Sequence, residues 1–250
     1  MSFIHSILLY GHIFLGALCL VLFWVPVICE KGTKLHKLSG RYYYFMMLFI
    51  AGSGIVMSLM VLFDPAQVYL KGAILPAEKL AKFVSERRHF SAFLLLLSVL
   101  TWVTVRHAYL VLKVQAERQP LRTWHYLLPV VSLMLGSLFM LGYGFNNGTW
   151  LFMIFAMVGV FTSSGIVHYV FRAELANRQW IIEHFSSMIG SGIALYTAFF
   201  AAGGRKLISE LLSHEWQLAT WLIAPIVGTL AITLLTKHFS RKFRVSPSSK

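Results

Sequence analysis

Ten histidines stand in a chain of 250 residues, and imidazole can exchange a proton near neutral pH or ligate a metal. Six of them, His12, His89, His107, His125, His168 and His184, fall inside long apolar runs. An uncompensated ionisable group in a bilayer costs about 2.5–3.5 kcal/mol, so each asks for a partner or a purpose. Counting from the nearest arginines sorts them by depth. His168 precedes Arg172 by four residues and His184 follows Arg178 by six. In an antiparallel hairpin the two reach similar depths, about 6 and 9 Å beyond those arginines. His125 enters its helix three residues after Arg122, and Glu183 is the one acidic residue well inside an apolar run. Imidazoles and a carboxylate at one level are the ligand types of a catalytic zinc or non-heme iron site. His125, His168, Glu183 and His184 are therefore the expected metal set. Glu183 and His184 point about 100° apart on a helix, so one ion would have to sit between their directions. The competing reading pairs Glu183 with Arg178 or a neighbouring histidine and lets the imidazoles bridge helices.

A second group lies toward the other side. His12, with Gly16 one turn away, and His89 are candidate cofactor-binding residues, with heme b as the flat ligand that would fill the space. A heme between two imidazoles needs helices farther apart than the usual contact of about 8–10 Å, so diagonal helices would have to supply it. The stretch from Glu30 to Arg41 is the most motif-like in the chain. Its Lys31, Lys34, His36, Lys37 and Arg41 could hold an anionic lipid headgroup, each base contributing about 1 kcal/mol, with Gly32 and Gly40 permitting turns.

These side chains must be positioned by apolar helices. Hydrophobic residues make up 58% of the chain and charged ones 12%, far from the balance of a soluble domain. Apolar runs bounded by charged clusters give seven expected spans, at 6–29, 43–63, 89–112, 124–145, 150–171, 179–202 and 217–236. The expected fold is an all-α seven-helix membrane bundle over 1–245, followed by a disordered tail at 246–250. Sorting Lys and Arg by alternate sides puts 15 of the 22 on one side. The positive-inside rule then places the N-terminus outside and the C-terminus in the cytoplasm. The net charge of +13 reads as topology, so nucleic acid is not an expected partner. Expected partners are membrane lipids, anionic headgroups included, and a second copy or a membrane subunit. The apolar run after Met1 lacks a basic flank and a small-residue cleavage site, so the first span is expected to be retained. Cys19 and Cys29, about 15 Å apart along one helix, are too distant for a disulfide.

Two segments, 76–88 and 205–215, read as amphipathic helices lying on the outer surface, with Trp150 and Trp216 as interfacial anchors. The first shows Leu80, Phe83 and Val84 opposite Glu78, Lys79, Lys82 and Glu86, and the second carries Leu207, Ile208, Leu211 and Leu212. Small residues one turn apart, Gly159 with Ser163 and Ser186 with Gly190 and Ala194, predict close helix packing.

The order His12-x-x-x-Gly16, Lys31-Gly32-x-x-x-His36-x-x-x-Gly40, and His184 followed by Met188-Ile-Gly-Ser-Gly-Ile-Ala194-x-x-Thr197-Ala198-Phe199 resembles a family of bacterial multi-pass membrane proteins of unknown function, domain-of-unknown-function family 2306. The resemblance implies an inner-membrane location and weight on His12, His36 and His184; the family has no reaction to carry over. A weaker likeness to seven-span zinc-dependent membrane hydrolases stops at Ser164-x-x-x-His168. Their His-x-x-x-His element and intramembrane Asp are missing, since the sole Asp is Asp64. The expected function is thus an intramembrane, histidine-lined site in the cytoplasmic half that binds zinc, iron or heme b for redox or metal-assisted chemistry. The rivals are a proton- or solute-coupled transporter, as buried ionisable groups suggest, and a subunit whose polar residues serve packing alone.

Overall fold

The computed structural model describes residues 1–70, 72–203 and 219–245. Among them the regular elements are all helical, with no strand. The 205–215 segment, Trp216 and the 246–250 tail lie outside the described residues. Helix α1 (Ser2–Leu22) runs through Phe23 into α2 (Trp24–Ile28) as one apolar stretch of 27 residues. A turn at Gly32, φ +86°, leads to Thr33, whose hydroxyl accepts from the His36 N–H and caps α3 (Lys34–Phe63). The helix therefore starts well before 43, and Gly40 lies within it, not at a turn. The basic stretch is half loop and half first turns of a helix. A short α4 (Pro65–Tyr69) follows, capped by the Asp64 carboxylate.

Residues 76–88 do not form a separate surface-lying helix. They are the start of α5 (Ala77–Val114), 38 residues without an interruption, about 57 Å long. No Gly or Pro stands between Ala77 and Val114 to break it. The expected amphipathic face is nonetheless used. Leu80, Phe83 and Val84 are half-buried while Glu78, Lys79, Lys82 and Glu86 are exposed. Phe83 meets Tyr69 of α4 edge-on, and the Arg87 guanidinium lies 5.2 Å from both ring centres. Phe83 on that face thus rests on protein at Tyr69.

Helices α6 (Trp124–Asn147) and α7 (Trp150–Phe171) form an antiparallel hairpin turned at Gly148, whose φ of +64° suits the glycine C-cap. Gly159 lets the two approach until a Cβ there would collide with the Ser137 Oγ, so the small residues do carry close packing. Helix α8 (Gln179–Ala198) continues into a π-helical turn, Phe199–Gly203, and α9 (Ala219–Lys242) ends the described chain. A Cβ at Gly190 would stand 3.3 Å from the Thr104 methyl, and one at Gly192 would overlap the Phe23 ring.

Among the described residues, six helical stretches are long and apolar enough to cross a membrane: Ser2–Ile28, Lys34–Phe63, Ala77–Val114, Trp124–Asn147, Trp150–Phe171 and Thr220–Lys242. Helix α8, the expected sixth of seven spans, is not among them, because Gln179, Glu183, His184 and three serines dilute its apolar character. The outer faces of the others are oily. Phe3, Tyr10, Phe14, Val21, Phe139 and Phe161 are each at least 65% exposed, as befits a chain whose solvent is lipid. Helix α5 is the hub, packing on α3, α6, α7 and α8, while α8 also holds α9. Cys19 is buried, Cys29 half-buried, and both are free thiols.

Candidate functional site

At the hub, a side chain on α5 can touch several helices at once, and His107 does so. It is fully buried, lies seven residues before the C-terminal end of α5, and uses both ring nitrogens. Nδ1 makes a short hydrogen bond with the Tyr126 hydroxyl of α6, and Nε2 lies 2.8 Å from Oε1 of Glu183 on α8. An ionised carboxylate can only accept, so with Glu183 ionised the proton sits on Nε2 and Nδ1 accepts from the phenol. Tyr169 of α7 completes the ring of helices, its ring edge-on to the imidazole at 5.6 Å between centres. Tyr126 and Tyr169 are 4% and 3% exposed, whereas the Glu183 side chain keeps 23% of its surface. The carboxylate is therefore the accessible end of an otherwise buried chain of polar groups.

Arginines close the same end of the bundle. Arg106 donates to the His125 carbonyl at 2.9 Å and lies over the Tyr126 ring. Arg118 donates to the carbonyls of Tyr169 (2.7 Å) and Arg172 (2.8 Å), and Arg122 donates to that of Val170. These are the orphan carbonyls at the α7 C-terminus, where the helix dipole favours a cation. Burial there lowers the Arg118 pKa from its ordinary value. Lys31 does the equivalent for α2, its ammonium turned onto the carbonyls of Pro26, Val27 and Cys29. Burial lowers the Lys31 pKa as well, and the nearby Lys242 ammonium of α9 pushes it in the same direction.

The expected metal set is distributed over separate contacts. Glu183 goes to His107, and His184 places Nδ1 2.8 Å from the Ala108 carbonyl. His125 is exposed with its ring on Trp124, and His168 is exposed on α7. Among the described residues no group of three or more His, Cys, Asp or Glu side chains is placed to hold a metal ion. The outer pair is likewise divided. His12 sets Nδ1 3.0 Å from the Ser53 hydroxyl, while His89 is exposed with its ring against Tyr143. Of the anionic-ligand set, Lys31 and His36 are turned inward, His36 Nδ1 lying 3.1 Å from the Pro26 carbonyl. Lys34, Lys37 and Arg41 remain exposed.

Of the expected set Glu183 does join the cluster, whereas Tyr126 and Tyr169 enter it in place of their neighbours His125 and His168. His107 is one of the in-span histidines, and its position just after Arg106 is the signal that sets it at the same depth. The chain matches no family model, and comparison with curated proteins and with solved structures likewise finds no match.

Proposed function

We propose that this protein spans a bacterial inner membrane seven times, α8 included, with its N-terminus outside, and that it couples transport to proton movement through Glu183, His107 and Tyr126. The observation that carries this reading is the unbroken hydrogen-bonded chain of three groups that can each give and take a proton, drawn from three helices. Ionisable residues kept inside a membrane bundle mark such paths. Entry from the carboxylate side starts from the Nδ1–H tautomer: a proton arriving on the carboxylate passes to Nε2 as Nδ1 gives its own to the phenol oxygen, which releases its hydroxyl proton onward, and the ring ends in the Nε2–H form described above.

Between the level of His107 and that of His12, α5 carries three hydroxyl side chains, each bonded to a carbonyl of its own helix. Ser98, Thr101 and Thr104 precede His107 at three-residue intervals on α5, and the level of Ser98 is also that of His12 and Ser53. A Cβ at Gly54 of α3 would lie 2.5 Å from the Ser98 hydroxyl and 3.7 Å from the His12 ring. Nine residues separate Ser98 from His107, about 13 Å along the helix.

Purified protein in liposomes carrying an internal pH dye tests the reading. An imposed potential should drive proton entry in the wild type and not in Glu183→Gln; equal rates in both would refute it. The span count has its own test. Reporters after Arg244 and at Ser2 should report opposite sides, and the same side for both would remove one span.

A further inference from the structure

The Tyr169 hydroxyl is buried and has no hydrogen-bond partner among the described residues. Leaving a phenol in that condition costs about 1–3 kcal/mol, so such a group in a well-packed core needs a reason. Its surroundings supply one. The Tyr169 ring stands against His107, and the Glu183 carboxylate lies within electrostatic range of both the Tyr169 and Tyr126 phenols. Glu183 commits Oε1 to His107, and its Oε2 makes no hydrogen bond with a described residue. One unmatched donor on α7 and one unmatched acceptor on α8 thus belong to residues that both contact His107.

We propose that Tyr169 and Glu183 together bind an internal water, and that this water is the entry point of the proton path. The inference rests on the proton-carrying reading above. The phenol donates to the water oxygen and the water donates to Oε2, which gives each of the three a partner. A proton added to this water leaves on Oε2, and the phenol keeps its own. Tyr169 is accordingly a positioning residue. The charges facing this place are Arg106 of α5, Arg118 and Arg122 of the following connection, and Glu183 of α8, with Tyr126 of α6 the remaining titratable neighbour besides His107. Arg118 fixes the α7 end that carries Tyr169 by bonding its main-chain carbonyl. The 23% of the Glu183 side chain that stays accessible gives the water a route in.

Tyr169→Phe removes one hydroxyl that no described residue uses. Its melting temperature should move by no more than about 4 °C, while proton flux in liposomes falls about tenfold, the rate equivalent of one lost hydrogen bond. Infrared difference spectra in ordinary and heavy-oxygen water provide a readout independent of transport. The wild type should show an internal-water band that shifts with the isotope and is missing from both Tyr169→Phe and Glu183→Gln. Wild-type flux and an unchanged water band in Tyr169→Phe, with Glu183→Gln inactive, would overturn this inference and leave the proton path standing. Full flux in Glu183→Gln would overturn the path itself. If Tyr169→Phe fails to fold, the wild-type spectrum decides: a water band lost in Glu183→Gln supports the site, and no isotope-sensitive band refutes it.

Discussion

His107 and His184 sit on opposite walls of one seam and reach across it in opposite directions. From α5, His107 meets the Glu183 side chain; from α8, His184 meets the main-chain carbonyl of Ala108. Adjacent residues on each helix thus form two reciprocal bonds, yet the bonds differ in kind. A carboxylate accepts a proton and returns it, whereas an amide carbonyl accepts a hydrogen bond and keeps no proton at ordinary pH. The first bond can belong to a relay and the second can only orient. His36 repeats the second pattern against Pro26, and it lies within electrostatic range of His184. Counting histidines in membrane helices therefore says less about chemistry than asking what each ring nitrogen faces.

The contrast can be broken by experiment, most forcefully at Glu183. Glu183→Ala leaves the buried imidazole without its carboxylate and should cost about 3 kcal/mol in thermal unfolding, together with loss of flux. A variant that melts like the wild type would mean that the pair contributes no more than a surface contact. Next comes His107→Phe, which fills the volume but severs both bonds. We expect flux to drop at least tenfold, because Tyr126 and Glu183 no longer share a carrier. Retained flux would show that protons bypass the imidazole.

Tyr126→Phe should have a smaller effect, about 1–2 kcal/mol in stability, since it leaves Nδ1 of a buried ring unmatched. Flux would then separate a through-path from a dead end: a fall places the phenol on the path, and no change confines the path to Glu183 and His107. The smallest effect belongs to His184→Ala. One carbonyl loses its donor, for about 1 kcal/mol, and flux should stay within about twofold of the wild type. A larger loss of flux would erase the distinction between orienting and relaying histidines.

Length, apolarity and charge spacing made the helical fold legible from the residues, and counting from Arg122, Arg172 and Arg178 found the level at which the site lies. Glu183 was singled out directly, whereas Tyr126 and Tyr169 adjoin His125 and His168, so on α6 and α7 the residue that meets His107 stands one position from the one expected, about 100° around a helix. The reason is physical. In water, the apolar stripe of a helix marks its inner face; in lipid, inner and outer faces are both apolar, and periodicity loses its pointing power. The same gap hid the union of 76–88 with the third span, where unbroken helix formers decided continuity and Tyr69 decided where the apolar face would rest. Sequence alone determined which residues could sit at each depth. Which of them face one another was decided by how α6, α7 and α8 settle around α5, because only close packing at small residues such as Gly159 and Gly190 sets the rotation of one helix against the next.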